Sequence, residues 1–168
     1  RVEDILKYLT SEEREIQSKE PTENERKKLI FLKKWKASFH EFLAVEYENS
    51  DKFTKSENNF ILSLDCLIGS NEYIKLIRGD HDFFFNKKEE KEVLVELIRI
   101  LNNFAMMYLK FNENKSALSI LKQLNYLLSL EQVEVEDKQE KLKEIRWLIF
   151  ETQNQIKDAD QENEKEIS

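Results

Sequence analysis

The chain contains 168 residues, of which 40% are hydrophobic and 36% are charged, with only two glycines and one proline. So few turn-forming residues favour helices and leave little material for glycine-lined ligand loops. The net charge of −7 argues against nucleic-acid binding as the main function, because that function needs a positive field that displaces counterions.

The sequence also excludes an internal disulfide and argues against a membrane span. Cys66 is the single cysteine, which favours a reducing compartment such as the cytoplasm. No stretch approaches the roughly 18 apolar residues that a membrane-spanning helix needs. A chain of this length buries enough surface to fold without a metal or a disulfide, so we expect neither a cofactor nor a metal.

Residues 1–20 form a first helical segment, and a second helix follows it. In the first segment the apolar residues at helical spacing are Val2, Ile5, Leu6 and Leu9. Thr22, with Glu25 three residues later, predicts the start of the second helix. Large apolar residues along that helix predict a core face, which comprises Leu29, Leu32, Trp35, Phe39, Phe42 and Leu43.

A basic cluster lies at the start of the second helix. Its members are Arg26, Lys27, Lys28, Lys33, Lys34 and Lys36. They scatter around the apolar stripe, which favours a solvated face over the alternative, a phosphate-binding patch. His40 falls at the edge of the stripe, where a boundary histidine is a better interpretation than a catalytic one.

Two shorter helices follow, and each is predicted to end at a glycine. Phe53, Phe60 and Leu64 belong to an apolar stripe that stops at Gly69. The next helix stops at Gly79. Glycine is the usual residue at the carboxyl end of a helix because it adopts positive φ without strain.

The segment after Gly79 concentrates ionisable and aromatic residues. Asp80, His81 and Asp82 suggest a metal-dependent hydrolase, but a metal shell needs more ligands, and His40 is the only other histidine. Turn and cap chemistry is the better interpretation. Phe83 and Phe84 follow, and we predict that they either pack against the core or remain exposed as part of a partner-binding surface.

Residues 86–111 predict one long helix around which the domain is organised. Asn86 is a candidate N-cap, with Glu89 three residues later. Apolar residues cover nearly all of its circumference, and a helix of that kind is usually buried on several sides. We therefore expect Leu101 and Phe104 to be almost fully buried.

The remaining chain predicts two more helices and a tail. Residues 112–114 form a tight connection, which requires an antiparallel helical hairpin. A last helix is predicted over residues 138–157. Residues 158–168 are polar and acidic, with too little apolar surface to offset their chain entropy, and are predicted to form a disordered tail.

Trp147 lies off the core stripe of the last helix, with Phe150 close to it. Two interpretations compete. Either another helix covers Trp147, or Trp147 and Phe150 anchor a partner protein or a second copy of the chain, because tryptophan is enriched at binding hot spots.

These elements predict an all-α fold, an antiparallel array or bundle of about six to seven helices. Residues 1–20 are the amino-terminal segment, 21–157 a single helical domain and 158–168 the tail.

The hairpin from Leu101 to Leu130 resembles one tetratricopeptide repeat. Phe104, Ala105 and Tyr108 occupy motif positions in its first helix, and Ala117 and Leu121 reproduce a small-to-large step in the second. Asn112 stands where that family has a turn glycine, and no second copy of the repeat appears. The resemblance implies stacked helical hairpins that bind peptides or partner proteins in a concave groove.

The leading hypothesis is a non-enzymatic helical module for protein–protein interaction, with a protein or peptide as its partner. It rests on the absence of phosphate-loop, nucleophile–base and zinc-binding motifs. Two alternatives stay open: a metal-dependent hydrolase that uses Asp80, His81 and Asp82, and a regulator that senses a peptide or small ligand in a cavity between helices. Association of copies of the chain is a further possibility.

Overall fold

The computed structural model describes residues 1–17, 20, 22–79 and 90–167. The described residues form seven α-helices and no β-strand. The helices are α1 (Val2–Gln17), α2 (Glu23–Asn49), α3 (Phe53–Ile68), α4 (Ser70–Arg78), α5 (Glu90–Lys110), α6 (Asn114–Ser129) and α7 (Lys138–Ile167). The predicted all-α class and helix number are confirmed. None of the described helices is long and apolar enough to cross a membrane.

Helix α5 is the centre of the core, as the sequence predicted. It packs against α2, α3 and α6. Leu101 and Phe104 are fully buried. The Phe104 ring stacks between those of Phe60 on α3 and Tyr108 on its own helix, with centroid distances of 5.0 and 4.6 Å. The nearly continuous apolar surface of α5 is therefore explained by neighbours on several sides.

Helices α2 and α3 form a close-packed antiparallel hairpin with small residues along its seam. Ala37 and Ala44 of α2 are buried. The Ser63 hydroxyl donates to the backbone oxygen of Ala37 at 2.6 Å, and the Ser56 hydroxyl donates to that of Ala44 at 2.8 Å. Small side chains at this seam let the two backbones approach closely enough for these hydrogen bonds.

This seam corrects the predicted core face of α2. Leu32 is buried and Leu29 and Phe39 are partly buried, but Trp35 and Phe42 are exposed. The physical reason is that α2 turns its alanines toward α3, on the opposite side of the helix from Trp35 and Phe42. The large aromatic residues predicted the wrong core face because the closest contact of α2 with another helix is made by small residues.

Helix α1 covers a separate face of α2. Leu9 and Ile16 of α1 form a small apolar cluster with Leu32. Carboxylates of α1 also neutralise part of the basic cluster, because Lys28 pairs with Glu12 at 3.0 Å and Lys36 with Glu13 at 3.1 Å. Two of the six basic residues therefore serve the α1–α2 contact.

The helix boundaries follow the local signals in the sequence. Thr22 accepts a hydrogen bond from the Glu25 amide at 3.3 Å, and Gly69 and Gly79 terminate α3 and α4. In the α5–α6 turn Asn112 has a φ of 59°. Asparagine tolerates this left-handed conformation better than most residues, so Asn112 takes the place of the turn glycine.

The carboxyl-terminal segment differs from the predicted disordered tail. Helix α7 continues through residues 158–167, and all of these side chains are exposed. Glu, Gln, Lys and Ala favour helix intrinsically, so a helix that is already formed extends into them without burying apolar surface. Low hydrophobicity predicted the lack of packing but not the local conformation.

Candidate functional site

An apolar concavity of the described residues lies between α5 and α7. Both helices pack against α6, but over their described ranges no Cα atom of one lies within 8 Å of a Cα atom of the other. The gap between them is a groove of about 300 Å³, which we call the α5–α7 groove. Its lining residues are Val95, Ile98, Arg99, Asn102, Leu124, Leu128, Val135, Lys141, Glu144 and Ile145.

The floor of the groove is apolar and rigid. Leu124 and Leu128 of α6 are buried and belong to the main core, as does Ile145 of α7. Val135, in the connection between α6 and α7, is partly buried against the same core. A floor made of core residues keeps its shape in the absence of a ligand, so a bound segment does not have to organise it.

The α5 wall follows directly from helical periodicity. Val95, Ile98, Arg99 and Asn102 are separated by three or four residues, which places them on one face of the helix. Met106 lies four residues beyond Asn102 and is exposed, so it extends this face toward the carboxyl end of α5.

Arg99 is held in the groove wall by carboxylates on two helices. It pairs with Glu41 of α2 and with Glu96 of its own helix. Glu41 is buried, and the Asn103 amide also donates to it at 3.3 Å. Partial burial lowers the pKa of Arg99, but the guanidinium remains charged near neutral pH. Its charge therefore fastens α2 to α5 and is largely offset at the groove.

Trp147 and Phe150 of α7, which the sequence predicted as partner-binding residues, do not line the groove. Trp147 lies about 160° around the helix from Ile145, which lines the groove, and Phe150 lies about 140° from Ile145. Both side chains are 60% exposed. No described helix covers Trp147. The interpretation in which another helix packs over Trp147 is therefore wrong for the described residues.

The other predicted site residues do not come together in the described structure. Phe83 and Phe84, with Asp80, His81 and Asp82, lie outside the described residues, so the hydrolase alternative stays a prediction. No group of three or more candidate metal ligands occurs in the described ranges.

His40 has a structural environment. Its Nδ1 lies 3.3 Å from Asn59 Oδ1 on α3. Burial, together with the charge of Lys36, lowers the pKa of His40, although the Asn59 hydrogen bond acts in the opposite direction. The imidazole is therefore neutral at pH 7, and its described contacts join α2 to α3.

Sequence reasoning missed the groove. The predicted partner-binding residues Trp147 and Phe150 lie outside it, and the sequence analysis singled out none of the residues that line it as site residues. The signal that exists in the sequence is the exposed pair Val95 and Met106 on a polar face of α5. That pair indicates a groove only when it is known that α6 packs between α5 and α7.

Comparison of the chain with protein-family models, with curated proteins and with solved structures finds no match in any of the three.

Proposed function

We propose that this chain is a non-enzymatic helical interaction module that binds a short apolar segment of a partner protein in the α5–α7 groove. The observation that supports the proposal is a concave apolar floor of core residues between two helices, bordered by the exposed side chain of Val95. Apolar concavities with a few polar groups at the edge are the usual form of peptide and ligand sites.

The size of the groove indicates what it accommodates. Its volume of about 300 Å³ is at the lower end of the range for small-molecule pockets. From Val95 to Met106 the α5 wall is roughly 16 Å long at about 1.5 Å per residue. That length suits about three turns of an amphipathic helix, with two or three apolar side chains inserted between α5 and α7.

The charges at the edge favour an apolar segment over a strongly charged one. Lys141 and Glu144 lie at the α7 edge with opposite charges, and two carboxylates already engage Arg99. These two cations and three carboxylates nearly cancel, so they leave no strong field to select an acidic or a basic peptide. The resemblance of the α5–α6 hairpin to a tetratricopeptide repeat adds support, since those repeats bind peptides in a concave groove.

The test is selection of binders from a peptide library on the purified chain, followed by affinity measurements on two matched variants. Val95 and Ile74 are 47% and 45% exposed, but only Val95 lines the groove. We expect Val95→Asp to weaken binding by a factor of about ten or more, because it places a charge in an apolar contact. Ile74→Asp should leave the affinity unchanged. Peptides that bind Val95→Asp as tightly as the unmodified chain would refute the groove as the site.

A further inference from the structure

Helix α2 carries an exposed aromatic stripe that the fold does not use. Phe31, Trp35 and Phe42 are 54%, 47% and 54% exposed, and their spacing places them within about 40° of one another. We call this set, with the half-buried Ser38 between Trp35 and Phe42, the α2 stripe. Three large aromatics in a row on one solvent-facing helix are unusual for a surface that contacts only water.

The α2 stripe is held in place by its own neighbours. Phe31 and Trp35 have ring centroids 5.7 Å apart, and Trp35 and Phe39 are separated by the same distance. Phe39 in turn packs against the apolar cluster shared by α1 and α2. Helices α1, α3 and α5 occupy the other sides of α2. The stripe is thus a fixed surface that no other described helix covers.

Charges beside the stripe change sign along the helix. Lys27 and Lys28 lie near its amino end, where Lys28 also pairs with Glu12 of α1, whereas Glu46 lies near its carboxyl end. Lys28 and Glu46 are on the same side of the stripe, each about 60° from Phe31. Two α2 helices that pack antiparallel would therefore place Lys28 of each copy near Glu46 of the other. A parallel pair would oppose like charges.

We infer that the α2 stripe is the contact surface of a symmetric dimer in which the α2 helices of two copies pack antiparallel, with the two-fold axis near Ser38. This register sets Trp35 of each copy beside Phe42 of the other, and the small Ser38 lets the helices approach at the centre. An isologous contact of this kind closes on itself, as the commonest oligomers do. The inference is independent of the α5–α7 groove.

The area available predicts a weak dimer. Aromatic residues bury about 150–250 Å² each when fully covered, so three half-exposed ones offer roughly 300 Å² per copy. A stable interface of standard size buries about 800 Å² per partner. The stripe supplies less than half of that area, so we expect an equilibrium between monomer and dimer that depends on protein concentration.

Sedimentation equilibrium over a range of concentrations, with a matched pair of variants, tests the surface. The unmodified chain should dimerise as concentration rises, and Phe42→Ser should remain monomeric. Phe150 is 60% exposed against 54% for Phe42, and Phe150→Ser should dimerise like the unmodified chain. Glu46→Lys should weaken the dimer. A chain that stays monomeric throughout, a dimer lost only in Phe150→Ser, or chains that grow beyond the dimer would each overturn the inference.

Disulfide cross-linking tests the antiparallel register. In a Cys66→Ala background, Ser38→Cys should cross-link rapidly on oxidation, because the two-fold axis brings the two positions together. Asn49→Cys should not, since antiparallel helices hold the two copies of that position roughly 33 Å apart at about 1.5 Å per residue, and a disulfide needs Cα atoms within about 7 Å. Cross-linking at position 49, or none at position 38, would contradict the register.

Discussion

Replacement of Phe104 by alanine is expected to destabilise the fold more than almost any other single truncation. The side chain is fully buried on the central helix, where it packs in the contact between α5 and α3. Truncation of a buried phenylalanine costs about 3–5 kcal/mol. Phe104 also loses two stacked partners, and each such pair adds about 0.5–1.5 kcal/mol. We therefore expect a loss in the upper half of that range.

Urea denaturation followed by circular dichroism measures this loss, with Phe42→Ala as the matched control. Phe42 is the same residue type on an exposed face, so its truncation should cost less than about 1 kcal/mol. At about 2–4 °C per kcal/mol for a chain of this size, Phe104→Ala should lower the melting temperature by roughly 8–20 °C. If Phe42→Ala proved the more damaging, the assignment of the core to α5 would be refuted.

Three further outcomes follow from the described contacts. Ser63→Ala removes one hydrogen bond from the α2–α3 seam and should cost about 1 kcal/mol in the same denaturation assay, whereas Ser63→Leu should cost more because it forces the backbones apart. A chain that ends at Lys157 should melt at the same temperature as the full chain, since all of residues 158–167 are exposed; a clear drop would show that they dock. Burial lowers the pKa of His40 below its ordinary value of 6.5, so below that pH the unfolded state binds the proton more readily and stability should fall. His40→Gln should remove part of this pH dependence, and an unchanged profile would contradict it.

Much of the fold was predictable because local rules and global packing agree in most of the chain. The capping contact of Thr22, the glycines that end α3 and α4, and the apolar circumference of α5 each specify their own part of the structure. Their combination predicted the all-α class and about the right number of helices. Where local signals and global packing agree in this way, the fold can be predicted from the sequence.

The features that the sequence did not predict have a common cause. Each depends on which neighbouring helix packs against a given helix face. Ala37 and Ala44 are small and contribute little to a hydrophobic pattern, but they make the closest helix–helix contact of α2. The larger Trp35 and Phe42 remain exposed. The α5–α7 groove likewise exists because α6 packs between α5 and α7. The sequence pattern of a single helix does not show which helices pack beside each other. None of the residues that line the groove could therefore be predicted as site residues from the sequence.

The most direct test of the proposed function is methyl NMR of the chain titrated with a peptide selected for binding. Val95, Ile98 and Ile145 line the α5–α7 groove, and Ile74 does not. If the partner segment binds there, the methyl signals of the first three should shift in a saturable manner while those of Ile74 stay unchanged. Saturable shifts confined to α2, or to other surfaces remote from the groove, would contradict it.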